Sequence, residues 1–355
     1  MTSLSHLAEK ILGGYFVSRD EALGLATDEA ISPWVLFEQA NRLREAHFGN
    51  RVHLCSIVNA KMGGCPEDCG FCSQSARFET GVERGTGIIS EAEVAKAEAR
   101  AEAWGSGALS MVTATRGYKA GAEFDKVLAR VKQVSAGGRL EAHASLGLLG
   151  LDEFKALRAA GCTEFNHNLE TGRGYFEKVC TTHTYDDRIA TIRNARAVGM
   201  RTCVGGIIGM GEAAEDRVDL AMTLRELDVD EVPLNFLVSV EGTPMAAVAK
   251  ERAPMAPLEM LRQVAMFRFV LPTKNIFICA GRQHLGDLQA LIFQAGASGI
   301  MIGDFLTTKN RSPEDDLKMI SDLGLEPKAC GRSSIAKVVD RETDSGRVSL
   351  AVIAN

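Results

Sequence analysis

Two hydrophobic rhythms alternate along most of the chain. Short, largely apolar runs cover residues 53–58, 108–113, 140–144, 164–168, 201–206, 231–237, 274–280 and 299–302. Their length and β-branched content predict strands. Between them, apolar residues three and four positions apart predict helices over 90–104, 123–134, 151–160, 186–198, 213–227, 258–270, 285–295 and 313–323. Ser90-Glu91-Ala92-Glu93 caps the first of these, and Gly161, Gly199 and Gly296 end three others. Residues 1–50 carry helical patterning throughout. Ser18 with Glu21 forms a capping box, and Ser32-Pro33 opens a helix with Trp34, Leu36, Phe37, Ala40 and Leu43 on one face.

Strict alternation implies parallel strands joined by right-handed crossovers. Eight such units predict the α/β class and a closed (β/α)8 TIM-type barrel, in preference to a doubly wound open sheet. The expected organisation is a helical segment over 1–50, the barrel over 51–330 and a polar, patternless tail over 331–355. Catalytic groups belong at the C-terminal ends of the strands and in the loops that follow.

Composition narrows the class. The chain has 355 residues, 46% of them hydrophobic, and a formal net charge of −6 without a basic patch. Nucleic acid is therefore not an expected partner. No apolar run reaches the ~18 residues that span a bilayer. Met1 to Gly14 lacks the basic start and apolar core of a secretory signal. Nine cysteines, an odd number, fit reduced thiols or metal ligands in the cytoplasm better than disulfides.

Three of those cysteines stand in Cys65-Pro66-Glu67-Asp68-Cys69-Gly70-Phe71-Cys72, directly after the first strand. Zinc sites usually present Cys in pairs and close with four ligands. Three close-set thiols without a fourth suit an iron–sulfur cluster that keeps one iron open. The C-x3-C-x2-C spacing, with an aromatic before the last Cys, resembles the signature of radical S-adenosylmethionine (SAM) enzymes.

The resemblance sharpens over residues 35–330. Lys61-Met62-Gly63-Gly64-Cys65 through Cys69 and Cys72-Ser73-Gln74-Ser75-Ala76-Arg77 are similar to the cluster loop of the biotin synthase family. Phe165-Asn166-His167-Asn168-Leu169-Glu170-Thr171, the glycine-rich run from Gly205 to Glu212, Val232-Pro233-Leu234-Asn235-Phe236-Leu237 with Gly242-Thr243-Pro244, Ala280-Gly281-Arg282 and Leu306-Thr307-Thr308 continue the match. The resemblance implies conversion of dethiobiotin to biotin, in which two unactivated C–H bonds give way to C–S bonds. It further implies an electron donor such as flavodoxin or ferredoxin, a homodimer, and a 4Fe–4S cluster that cleaves SAM to a deoxyadenosyl radical. A second, auxiliary iron–sulfur cluster supplies the sulfur.

Carried over residue by residue, the resemblance makes Cys65, Cys69 and Cys72 the cluster ligands and sets Phe71 near the adenine. It gives Asn168 to both SAM and substrate, and Arg188 to the SAM carboxylate. Glu170 stands where the family usually has an Asp that holds the ribose. Asn235 falls at the ureido-binding position, and an amide offers the donor and the acceptor that a cyclic urea needs. The glycines from Gly205 to Gly211 are expected to let backbone approach the adenosine.

The auxiliary site departs from the family. Its first two Cys positions are Ser110 and His143, its Arg position is Phe277, and Ala108 replaces a charged neighbour; only Cys203 remains. Cys279 lies two residues beyond Phe277 and so shares its face, while Cys55 occupies a position that usually carries a small hydroxyl residue. Cys55, Cys203 and Cys279 are thus candidate ligands of a 4Fe–4S rather than a 2Fe–2S cluster, with His143 a possible fourth. Cys162, Cys180 and Cys330 read as structural or exposed. Two other functions stay open: a related radical SAM enzyme acting on C–H bonds without sulfur insertion, and a non-catalytic metal protein.

Overall fold

Local signals set the helix starts. Ser18 accepts from the Glu21 backbone N–H while Glu21 reaches back to Ser18, and Ser90 with Glu93 repeats the box. The computed structural model describes residues 3–85, 87–307 and 310–329. Helices Leu4–Leu12, Arg19–Thr27 and Pro33–Phe48 form the N-terminal segment. Pro33–Phe48 packs against the helix Pro257–Val270 and buries Leu36, Phe37, Ala40 and Leu43 of its expected apolar face, whereas Trp34, expected on the same face, is exposed.

Among the described residues there are ten strands: β1 (Arg51–Lys61), β2 (Ala108–Thr113), β3 (Glu141–Ser145), β4 (Cys162–Asn166), β5 (Arg201–Cys203), β6 (Gly206–Ile208), β7 (Glu231–Phe236), β8 (Asn275–Ile278), β9 (Gly299–Met301) and β10 (Glu326–Ala329). All pair in parallel, and β1 closes the ring against β9. The result is an eight-stave parallel barrel, as expected from the alternation. The outer faces of the strands pack under the crossover helices, in two large apolar clusters.

Four details differ from the sequence expectation. The stave expected over 201–206 is two short strands, because both β5 and β6 run against β7, where Pro233 has no N–H to give to the ladder. Gly205 sits at the break; a Cβ there would lie 1.8 Å from the Pro233 carbonyl oxygen. The helix expected over 285–295 is instead a 3-10 segment, Arg282–Leu288, and a short helix, Leu291–Gln294; Gly286 at φ 52° breaks the run. Short helices Arg173–Val179 and Pro244–Lys250 fill the loops after β4 and β6–β7. Finally, β10 adds a parallel pairing to the start of β1. Cys330 and residues 331–355 lie outside the described residues. No helix among the described residues is long and apolar enough to cross a membrane.

Candidate active site

The cysteine loop leaves the C-terminal end of β1 and is tied down at both ends. Gly63 at φ 65° turns the chain where a Cβ would meet the Glu83 carbonyl at 2.7 Å. Cys65 N–H donates to Gln74 O (3.0 Å), Ala76 N–H to Cys65 O (2.7 Å) and Cys72 N–H to Cys69 O (2.9 Å). The two acids of the loop bind the segment after Val179. Asp68 accepts from the Thr181 and Thr182 amides (2.9 and 3.1 Å). Glu67 accepts from Thr182 Oγ1 (2.7 Å) and Arg116 Nη1 (2.9 Å), and pairs with His183. The thiols of Cys65, Cys69 and Cys72 line one cavity of about 310 Å³. Burial pushes the Cys72 thiol up to about 11 and raises Cys65. Cys69 is raised by its 3.8 Å contact with Cys180 and by burial. Metal bonding favours the thiolate in such surroundings.

The cavity wall opposite the loop comes from the ends of the next staves. Asn168, Glu170, Arg188, Asn235 and Cys279 all line it. Arg188 Nε donates to His183 Nε2 (2.9 Å), and Nη1 to Asn168 O (2.6 Å) and Glu170 Oε1 (3.3 Å). Asn168 Oδ1 accepts from Gly205 N–H at 3.1 Å. Glu170 is buried in the left-handed region at φ 70°, a costly conformation for a side-chain residue. Burial raises its carboxyl against the pull of Arg188, and Oε2 is left without a hydrogen-bond partner. An orphaned acceptor facing the cavity suits the hydroxyls of a ribose, and with three thiols on the facing wall the residues fit a cluster-bound SAM. Phe71 packs among Tyr175, Val179, Met210 and Met245. Asn235 Nδ2 donates to Gly206 O (3.3 Å) and Oδ1 accepts from Ala280 N–H (3.1 Å), which fixes the amide plane while leaving one donor and one acceptor direction.

Deeper in the barrel, Cys279 and Cys55 pack in one cluster with Ala108, Phe277 and Met301. Cys203 is buried on β5, pushed up by burial, by Glu164 and Glu231, and by Cys55 and Cys279. Beside the thiols runs a charged layer. His143 Nδ1 lies 3.2 Å from Glu164 Oε1, and its Nε2 lies 3.2 Å from Glu141 Oε2. Arg201 Nε donates to Glu164 Oε2 at 3.2 Å. Burial lowers the imidazole, but Glu164, Cys55 and Glu141 together hold it well above its ordinary value. Glu231 is pushed up to about 8 by burial and by Glu164. The Cys203 sulfur and carboxylate oxygens of Glu164 and Glu231 all lie within 4.8 Å of one another, so carboxylates as well as thiols offer ligand atoms at this depth.

A radical SAM superfamily model matches residues 60–224, and a Biotin and Thiamin Synthesis associated domain matches residues 233–326. A biotin synthase of Trichlorobacter lovleyi is 45% identical over 325 residues, covering 91% of this chain and 96% of that protein. The chain belongs to the biotin synthase family. A second biotin synthase, from Geobacter sulfurreducens, is 42% identical over 325 residues, covering 91% of this chain and 97% of the relative. Methylornithine synthase shares the fold alone, with a TM-score of 0.78 at 19% identity, over 94% of this chain and 100% of the other. As a member of the biotin synthase family, the chain carries the radical SAM barrel that its alternation of strands and helices predicted.

The structure brings Cys65, Cys69, Cys72, Phe71, Asn168, Glu170, Arg188, Asn235 and Cys279 to one cavity, and sets Cys55 in one apolar cluster with Cys279, a cluster that does not include Cys203. It changes the reading of two features. Gly205 and Gly206 are needed by the protein itself: a Cβ on Gly206 would lie 2.5 Å from the Glu170 carbonyl oxygen. Cys180 is no bystander, for its sulfur lies within 4.8 Å of ligand atoms of both Cys69 and His183. The separation of 111 residues between Cys69 and Cys180 hides that contact from any local pattern. Glu164, Arg201 and Glu231 were legible only as charged residues at otherwise apolar strands, a signal that marks an inward-facing polar layer.

Proposed function

We propose that this family member converts dethiobiotin to biotin, closing the second ring by sulfur insertion at two unactivated carbons. The observation that carries the reading is the convergence of three loop thiols, the Asn168–Glu170–Arg188 group and Asn235 on one cavity of about 310 Å³. A 4Fe–4S cluster on Cys65, Cys69 and Cys72, with SAM, supplies one-electron cleavage of SAM and hydrogen abstraction from carbon. The protein's part is placement. Arg188 and Asn168 hold the amino acid end of SAM, Glu170 takes the ribose hydroxyls, and Phe71 lies against the adenine. Asn235, with its amide plane already fixed, reads the ureido group from donor and acceptor together.

In the same proposal Cys55, Cys203 and Cys279 hold an auxiliary 4Fe–4S cluster as sulfur donor. The support is their common location inside the barrel and the replacement of the family's usual ligands by Ser110, His143 and Phe277. The chemistry is assigned to residues 51–330, with 1–50 as helical support and 331–355 as a tail. A flavodoxin or ferredoxin delivers the electron, the assembly is a homodimer, and the site of action is the cytoplasm, where the eight free described cysteines stay reduced.

The test is an anaerobic assay of the reconstituted protein with dethiobiotin, SAM and a reductant, with iron and sulfide counted on the same sample. Biotin formation is expected. SAM cleavage without biotin would favour C–H chemistry without sulfur insertion, which the apolar Phe277 at the usual ligand position makes the relevant competitor. A cluster spectrum unmoved by SAM would reject both in favour of a structural metal site.

A further inference from the structure

Arg188 reaches the cavity from the first turn of the helix Tyr185–Ala197, and that turn carries its own support. Thr184 caps the helix: its hydroxyl accepts from the Asp187 N–H (3.1 Å), and its own N–H donates to Asp187 Oδ2 (2.8 Å). The residue just before such a cap commonly packs against the fourth helical residue. Here those two places hold His183 and Arg188 instead of an apolar pair. Both are 7% exposed. Phe176 backs both, with its ring centroid 5.8 Å from that of His183 and 5.6 Å from Arg188 Cζ.

His183 joins two charged groups from distant parts of the chain. Its Nε2 accepts from Arg188 Nε at 2.9 Å, so Nδ1 carries the proton and donates to Glu67. Glu67 is itself fixed by Thr182 Oγ1 (2.7 Å) and Arg116 Nη1 (2.9 Å). It stands between Cys65 and Cys69, so hydrogen bonds run unbroken from the cluster loop through the imidazole to the arginine. A guanidinium offers five donors on a flexible stem. Once Nε is taken, the two Nη groups are left to face the Asn168 carbonyl, Glu170 Oε1 and the cavity. Partners behind a binding side chain orient it in this way.

We propose that His183 is a positioning residue: held by Glu67 of the cluster loop, it accepts from Arg188 Nε and so presents the Nη edge of the guanidinium to the carboxylate of SAM. This rests on the reading that Arg188 binds that carboxylate.

SAM affinity, followed through the cluster spectrum of the reconstituted full chain, tests the proposal. His183→Asn keeps an N–H near the Nδ1 place for Glu67 but offers Arg188 no acceptor. Its iron content should match wild type while SAM binds about fivefold more weakly. His183→Gln reaches the Nε2 place with a carbonyl oxygen and should restore most of the affinity. In an Arg188→Ala background, His183→Asn should add no further loss, because the group it positions is gone. An equal loss with and without Arg188, or an equal loss in His183→Asn and His183→Gln, would make His183 a support of the fold and overturns the proposal. So does loss of the cluster in His183→Asn, or wild-type affinity in that variant while Arg188→Ala is weakened. Wild-type affinity in Arg188→Ala itself would instead remove the reading that Arg188 holds SAM, and the proposal with it.

Discussion

Arg188 sets Nη2 3.8 Å from Cys69 Sγ while Nη1 donates to the Asn168 carbonyl at 2.6 Å, so one side chain links the cluster loop to the end of the fourth stave. The link predicts that Arg188→Ala assembles the loop cluster with unchanged iron content but binds SAM more weakly by at least about tenfold, a loss of about 1.4 kcal/mol. Arg188→Lys should not rescue it, because an ammonium does not span His183, Asn168 and Glu170 as the guanidinium fork does. Equilibrium SAM binding followed through the cluster spectrum checks this; wild-type affinity in Arg188→Lys would refute the fork argument.

Glu170 holds a raised carboxyl with an orphaned oxygen. Glu170→Gln keeps the shape and removes the charge that burial penalises. The apo-protein should be as stable as wild type or more so in a denaturant melt, while SAM affinity falls about tenfold. A loss of stability without loss of affinity would show that the carboxylate serves the fold.

Cys69 faces two sets of partners, the loop thiols and the Cys180–His183 pair. If the loop set holds iron, Cys180→Ala should keep a full cluster whose spectrum still responds to SAM, whereas Cys69→Ala should lose it. A cluster lost equally in both variants would make Cys180 a ligand.

Glu141 is held below its ordinary value of 4.5, because His143 and Arg201 outweigh the cost of its burial. Its stabilising contribution is therefore present above pH 4.5 and is lost as pH falls through the lowered value. Glu141→Gln should be about 2 kcal/mol less stable at pH 7, and the gap should narrow steadily in denaturation midpoints taken below pH 4.5.

Arg282 and Asp316 form a fully buried, two-pronged ion pair, with Nη1–Oδ1 at 2.9 Å and Nη2–Oδ2 at 2.7 Å. Asp316→Leu alone leaves a buried guanidinium unpaired and should cost about 3–5 kcal/mol, whereas Arg282→Met with Asp316→Leu should recover most of that loss. Thermal or denaturant unfolding of the three proteins measures both.

Much of the fold was legible because it is written locally. Period and punctuation located every stave of the barrel, and 108–113 coincides with β2. Ser18–Glu21 and Ser90–Glu93 announced their helices by themselves. What escaped depends on partners. Pro233 breaks the stave beside it, not its own strand, and β10 exists because the start of β1 offers it an edge.

The sequence alone determined the alternation, hence the barrel, and the loop that follows its first strand, because both rest on spacing within a few residues. Tertiary structure decided which distant groups share that loop's surroundings. Arg188 and Cys180 reach Cys69 across more than a hundred residues, and the register of three staves aligns Glu141, His143, Glu164 and Arg201. A side chain's neighbours across a closed barrel are set by register and closure, and neither is encoded in any short stretch of chain.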